Sequence, residues 1–235
     1  MCVSGRTLTG ASGSSAGARG GVAVLASGGL DSAILVAEFL RQGSVVHPIY
    51  VRFGLAWEPT EEAHLRRFLD ALTSPAPEPL TVLDLPIAST YGTHWSVSGE
   101  AVPDDRSADE AVYLPGRNLL LLAQPSVWCA LNGVQTIALG TLKGNPFPDS
   151  SREFFDDFAA LVQRGMGHPL DVVTPFAGLT KADVLALGRG LELRHTLSCI
   201  DPQGGRHCGR CNKCAERRLA FAALQIDDVT EYEYP

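Results

Sequence analysis

Ser27-Gly28-Gly29-Leu30-Asp31-Ser32 gathers in six positions the residue types that bind phosphate. Adjacent glycines let backbone and anion approach without Cβ interference, and N–H groups opening a helix aim their dipoles at one point. Ser27 and Ser32 add hydroxyls, whereas Asp31 is discordant. A carboxylate beside phosphates repels them unless a cation intervenes, so Mg²⁺ is the expected companion. The alternative is a tight turn in which Asp31 simply favours the start of a helix. The stretch has neither the Gly-Lys-Ser/Thr ending of a Walker A loop nor the three-glycine spacing of a dinucleotide site.

A second constellation is Cys199, Cys208, Cys211 and Cys214, spaced C-x8-C-x2-C-x2-C. Thiolates two residues apart in a turn converge on one metal, and four of them make a closed tetrahedral zinc site. An iron–sulfur cluster is the competing reading, but the proline that follows the ferredoxin run is missing. Disulfides are not expected without a secretion signal. His207 is expected on an exposed loop and His195 facing the nucleotide site, neither serving as a ligand. The metal would pin a short C-terminal segment, 191–235, that core burial alone could not hold.

The elements that position these groups alternate in type. Strand-like runs occur at 22–26, 45–53, 80–85, 136–139 and 170–174, with helix-like segments at 32–41, 60–72, 118–131 and 152–164. This order indicates a parallel sheet covered on both faces, a doubly wound α/β domain over 21–190. Thr180 and Asp183 have the spacing of a capping box opening one more helix. The stretch 89–115 shows no clear periodicity and reads as a long functional or mobile loop. Ligands bind beyond the carboxyl ends of parallel strands, where Ser27–Ser32, Phe53-Gly54 and Gly140 would all lie.

The chain has 235 residues and a net charge of −7, which argues against a general nucleic-acid surface. Arg206, Arg210, Lys213, Arg217 and Arg218 nevertheless crowd one end. No apolar run approaches the roughly 20 residues of a membrane span. Residues 1–20 are rich in Gly, Ser, Ala and Thr and read as a flexible tail. A localisation in the cytoplasm is the expectation. Cys2 resembles an amidotransferase nucleophile, but about twenty residues are too few for a glutaminase domain. Nitrogen is therefore expected as free ammonia or another amine.

The SGGLDS stretch resembles the PP-loop of the ATP pyrophosphatases, which implies adenylation with loss of pyrophosphate. With Pro115-Gly116-Arg117-Asn118-Leu119, Gly178-Leu179-Thr180-Lys181-Ala182-Asp183 and Ser198-Cys199 before Cys208-Gly209-Arg210-Cys211-Asn212-Lys213-Cys214, the order of motifs is similar to that of the 7-cyano-7-deazaguanine synthases over about residues 22 to 222. The resemblance implies that ATP activates a 7-deazapurine carboxylate, ammonia makes the amide, and a second activation dehydrates it to a nitrile. It implies Mg²⁺ and one zinc on the four cysteines. Asp31, Arg117 and Lys181 become the candidate catalytic residues. Ser27 to Ser32, Phe53, Gly54, Asn118, Gly140 and Lys181 become the ATP contacts. Arg117, Asn118, Phe147, Asp149 and Glu153 become the substrate contacts. Phe147 would stack on a purine-like ring and Asp149 accept from its N–H groups; otherwise Asp149 caps the helix near Ser151. A lysine at the start of a helix, as Lys181 is, needs an anion beside it, and phosphate is the expected one.

The chain departs from the family where a Tyr-Gly-Gln-Arg-His-like segment becomes Phe53-Gly54-Leu55-Ala56-Trp57, and where Ser150-Ser151 replace a cysteine and an arginine. Loss of polar groups there predicts an altered second step, with amide accumulating or a larger amine accepted, unless Arg52, Arg117 or Arg152 restores polarity. Conjugation to a protein amine, a tRNA-thiolating enzyme and a non-catalytic adenine-nucleotide sensor are the other readings. A homodimer is the default assembly of such enzymes.

Overall fold

A computed structural model describes residues 21–234, so the expected tail at 1–20 lies outside the described residues. Five strands form one sheet: β1 (Val22–Leu25), β2 (Val46–Arg52), β3 (Thr81–Asp84), β4 (Thr136–Ala138) and β5 (Asp171–Val173). The order is β3-β2-β1-β4-β5 and all pairs are parallel, with Val22 in register with Val46 on one side and Thr136 on the other. The helices are α1 (Leu30–Arg41), α2 (Glu58–Ala71), α3 (Ala88–Tyr91), α4 (Trp95–Ser98), α5 (Arg117–Asn132), α6 (Arg152–Met166), α7 (Lys181–Leu187) and α8 (Asn212–Ala223).

Alternation along the strands splits the core in two. Ala23, Leu25, Ile49, Val51 and Ile137 point to a face covered by Leu122 and Cys129 of α5 and Phe155 of α6. Val22, Val24, Val46, Tyr50 and Ala138 point to the other, covered by α1, α2, α7 and α8. Because both faces are buried, the strands read as nearly continuous apolar runs. The chain leaves β1 outward to β2 and β3, then returns to place β4 on the opposite side. The crevice opens at that reversal, beyond the carboxyl ends of β1 and β4.

Three expectations are corrected. The stretch 89–115 is not one long loop: it contains α4, much of α3 and a 3-10 turn over Asp109–Val112, anchored by buried Val112 and Leu114. Single-turn helices carry too few periods to show in a sequence. The C-terminal segment contains α8, whose Ala220 and Phe221 join the core shared with α1. His207 is buried, and its Nε2 accepts the Ser198 N–H at 3.0 Å; burial pushes its pKa down and keeps it neutral.

The C-terminal cations are largely engaged within the protein. Arg206 pairs with Glu233, Lys213 with Glu216, Arg210 covers the Tyr234 ring and Arg218 the Tyr232 ring. Arg217 is fully buried and donates to Thr196 Oγ1, Ser198 Oγ, Thr230 Oγ1 and the Leu193 carbonyl. It ties α8 to the segment leading into the cysteines. Arg217→Met keeps the volume and strands several of these acceptors, so stability should fall by about 2–4 kcal/mol. A urea midpoint unchanged from the parent protein would contradict that role.

Candidate active site

The loop from Ser27 to Ser32 leaves β1 and enters α1 as a cradle. Gly29 is the N-cap of α1 and no side chain caps it, so the first N–H groups of the helix face the crevice. Ser32 Oγ accepts the Ser27 N–H at 3.1 Å, which tightens the turn. Gly28 has φ +76°, and a Cβ there would meet the Glu61 carbonyl and Leu65 Cβ at 3.1 Å. It serves the close approach of the loop to α2. Gly140, after β4, similarly packs on Asp31, where a Cβ would come within 3.2 Å of its backbone carbon.

Two connected lobes open above the cradle, with volumes of about 240 and 360 Å³. That is the scale of small-molecule sites, about 300–1,000 Å³. Ser27, Gly29, Asp31, Glu61, Arg117 and Gly140 line both. The first lobe also carries Ser32, Phe53, Asn118 and Asp149; the second carries Leu30 and Lys181; Phe147 borders both. Gly28 and Gly54 are outside the lining, although the Gly54 N–H is held by Glu58. Glu153 is exposed in the first turn of α6, away from either lobe, because that helix turns its phenylalanines inward. His195 does not reach the lobes either.

Asp31 and Lys181 meet, with Nζ 2.7 Å from Oδ2, and Glu216 lies 3.2 Å from the same Nζ. Two carboxylates thus stand beside the start of α7, whose Thr180–Asp183 capping box is formed. Burial opposes the charge on Lys181, but Asp31 and Glu216 outweigh it and raise its pKa. Burial likewise opposes the charge on Glu216, yet Lys181 and Lys213 bring its pKa down to about 2. Asp31 Oδ1 is buried without a hydrogen-bond partner. An unsatisfied carboxylate oxygen fits a cation and disfavours an anion. Arg117 Nε is the complementary case, a buried donor without an acceptor.

Asn118 and Asp149 are engaged with each other: Asp149 Oδ2 accepts the Asn118 N–H at 2.9 Å and its carbonyl accepts from Nδ2. Asp149 therefore secures the start of α5, not α6, which Ser151 caps. Gly116 is the N-cap of α5. Phe147 stacks on Tyr113 with centroids 4.8 Å apart, presenting an aromatic wall. Trp57 stacks on Trp95 at 5.6 Å in the second lobe. Of the three arginines considered as compensating groups, only Arg117 lines the lobes. Arg52 is held by Glu62 and Asp84, and Arg152 by Asp156 and the Val172 carbonyl.

Sequence reasoning missed Tyr50, Glu58, Glu61 and Glu216. Glu58 accepts the Phe53 and Gly54 N–H groups at 2.5 and 2.6 Å, and burial raises its pKa against those bonds. Glu61 accepts from the Tyr50 hydroxyl at 2.8 Å. Burial pushes its pKa up to about 7; the neighbouring Glu58 adds to this, while Tyr50, Arg117 and Trp57 oppose it. Burial and Glu61 raise the Tyr50 pKa, so the phenol remains a donor. The glutamates at 58 and 61, i and i+3 on α2, were the available signal.

The cysteine cluster meets a geometric test. All four thiols are buried, with sulfurs within 4.8 Å of one another. The Cys199–Cys211 and Cys208–Cys214 separations are 3.9 and 4.0 Å. Four thiolates about 2.3 Å from one zinc would lie about 3.8 Å apart. Backbone N–H groups of Asp201, Cys208, Arg210 and Cys211 point at the sulfurs, as thiolates require.

Comparison with known proteins agrees with this geometry. The family model described as "Queuosine biosynthesis protein QueC" matches residues 21–225. The 7-cyano-7-deazaguanine synthase of Anaeromyxobacter dehalogenans (strain 2CP-C) is 32% identical over 224 residues, covering 89% of this chain and 94% of that one. The protein of the same name from Anaeromyxobacter sp. (strain Fw109-5) is 34% identical, with the same coverage. That from Methanothermobacter thermautotrophicus is 31% identical over 88% of this chain and 96% of its own. The match runs from β1 through the cysteine cluster and α8, so phosphate cradle and metal site fall within one relationship: the chain belongs to the QueC family of queuosine biosynthesis proteins.

Proposed function

We propose that this enzyme is an ATP-dependent carbon–nitrogen ligase that converts a 7-deazapurine carboxylate into the nitrile, through an adenylate and an amide, releasing AMP and pyrophosphate. The observation that supports the reading is that the two lobes share Asp31 and Arg117 across the cradle, where nucleotide and acid would meet. A carboxylate is a poor electrophile, and making its oxygen part of an adenylate turns it into a leaving group.

The Gly29 cap and the N–H groups of α1 face the charge that grows on pyrophosphate, and Lys181 stands across from them. Arg117 offers its unpaired Nε and planar fork to the α-phosphate or the acid. The unsatisfied Asp31 oxygen would hold Mg²⁺, which when bound screens phosphate charge. Tyr113 and Phe147 offer a flat surface to a fused ring, with Asp149 and Asn118 at its edge. The four cysteines would hold one zinc as a structural ion, since a closed site leaves no open position for chemistry. Ammonia is the nitrogen donor in this reading, and the substrate is a small molecule; among the described residues no helix is long and apolar enough to cross a membrane.

A second reading has one observation in its favour. Leu55 and Trp57, which replace polar family residues, line the lobes, and Trp57 is stacked on Trp95. An apolar wall there slows dehydration of the amide or admits a larger amine. Exchange of labelled pyrophosphate into ATP, stimulated by 7-carboxy-7-deazaguanine without ammonia, is the expected result for adenylation. ADP release, or no exchange with this acid, would contradict it.

A further inference from the structure

We propose that Glu61 is the catalytic base that takes a proton from ammonium as nitrogen attacks the acyl adenylate, with Tyr50 as its positioning residue. The inference rests on the adenylating, ammonia-using reading above. Asp31 and Glu61 are the carboxylates that border both lobes, where activated acid and incoming nitrogen must meet. Asp31 is paired with Lys181. Glu58 is occupied by two backbone N–H groups, Asp149 by Asn118, and Glu216 by two lysines. Among the described residues, Glu61 is the lobe carboxylate held by a neutral phenol, with no cation within ion-pair distance.

Ammonium has no lone pair and cannot attack. The Glu61 carboxylate removes one proton, and the freed pair forms the C–N bond while the carbonyl electrons move to oxygen. They return as the C–O bond to AMP breaks, AMP leaving with its electron pair. The surplus proton on nitrogen passes to solvent, leaving the amide. A base for this step should titrate near the working pH. The groups facing Glu61 set that balance: Tyr50 from β2, Glu58 from its own helix, Trp57 before it and Arg117 from α5. Asp31 and Lys181 stand across the crevice.

The test compares Glu61→Gln and Tyr50→Phe with the parent protein, using 7-carboxy-7-deazaguanine and ATP with either ammonium or hydroxylamine. Hydroxylamine is uncharged at neutral pH and needs no base before attack. Glu61→Gln should lose about a hundredfold or more of amide formation from ammonium, the usual span of base catalysis. Hydroxamate formation and pyrophosphate exchange should fall only a few-fold. In the parent, amide formation should level off above about pH 7 until ammonium itself titrates, whereas in Glu61→Gln it should keep rising with free ammonia. Tyr50→Phe should move the acid limb to higher pH, because a bond that favours the carboxylate is lost. Parallel loss of both nucleophiles in Glu61→Gln, parent-like ammonium rates, or an unmoved limb in Tyr50→Phe would each overturn the proposal. A parent protein that shows no exchange with the acid would instead sink the reading beneath it.

Discussion

Asp31→Asn should abolish ATP turnover, by at least about a hundredfold to a thousandfold, while leaving the protein folded. The side chain sits in the first turn of α1, partly exposed, and its oxygens face Lys181 and the crevice, not the core. The amide removes the charge that would hold a cation and that pairs with the Lys181 ammonium. Loss of one preorganised electrostatic group costs about 10²–10³ in rate. Lys181 keeps Glu216, and the favourable carboxylate at the helix start is worth only about 0.3–1 kcal/mol. Stability should therefore change little. Ser32→Ala should act in the same direction by releasing the Ser27 N–H and loosening the cradle. Normal pyrophosphate release from the folded variants would contradict the assignment of the loop.

Cys211→Ser should carry the largest structural effect. The four sulfurs are buried in the core cluster that holds Leu197 and Ile200, so the metal would be part of that core. Structural zinc in small domains contributes about 10–16 kcal/mol of apparent binding energy to folding at neutral pH. Metal analysis of the parent should find about one zinc per chain, as a closed four-thiolate site implies. The variant should lose it and become open to proteolysis beyond about residue 195, where the chain reaches the cysteines. An iron–sulfur absorption spectrum, or parental stability without any metal, would contradict the zinc account.

The difference between what could and could not be read beforehand follows sequence distance. The strands, the cradle, the Thr180 capping box and the cysteine spacing are local patterns whose physics lies within a few residues, and the structure contains each of them. Of the two readings of Asp149, substrate contact or cap of the helix near Ser151, the cap fails: its carboxylate accepts from Asn118, 31 positions away. The carboxylates beside Lys181, Asp31 and Glu216, come from distant elements and leave no trace around Lys181 itself. Arg217 looked like a surface charge because burial of a guanidinium depends on acceptors from two other segments, 193–198 and Thr230. Glu61 gave no sign in the sequence beyond its spacing from Glu58: its perturbation comes from desolvation in the crevice, which only the assembled fold creates.

The central claim is tested most directly by following the products by mass when the full chain is incubated with 7-carboxy-7-deazaguanine, ATP, Mg²⁺ and ammonia. The account predicts consumption of the acid, transient amide and then nitrile, with AMP and pyrophosphate released at each activation. Amide that accumulates without nitrile would favour the apolar-wall variant of the reaction, with Trp57 and Trp95 responsible. An acid left unchanged, with no AMP formed, would contradict the account.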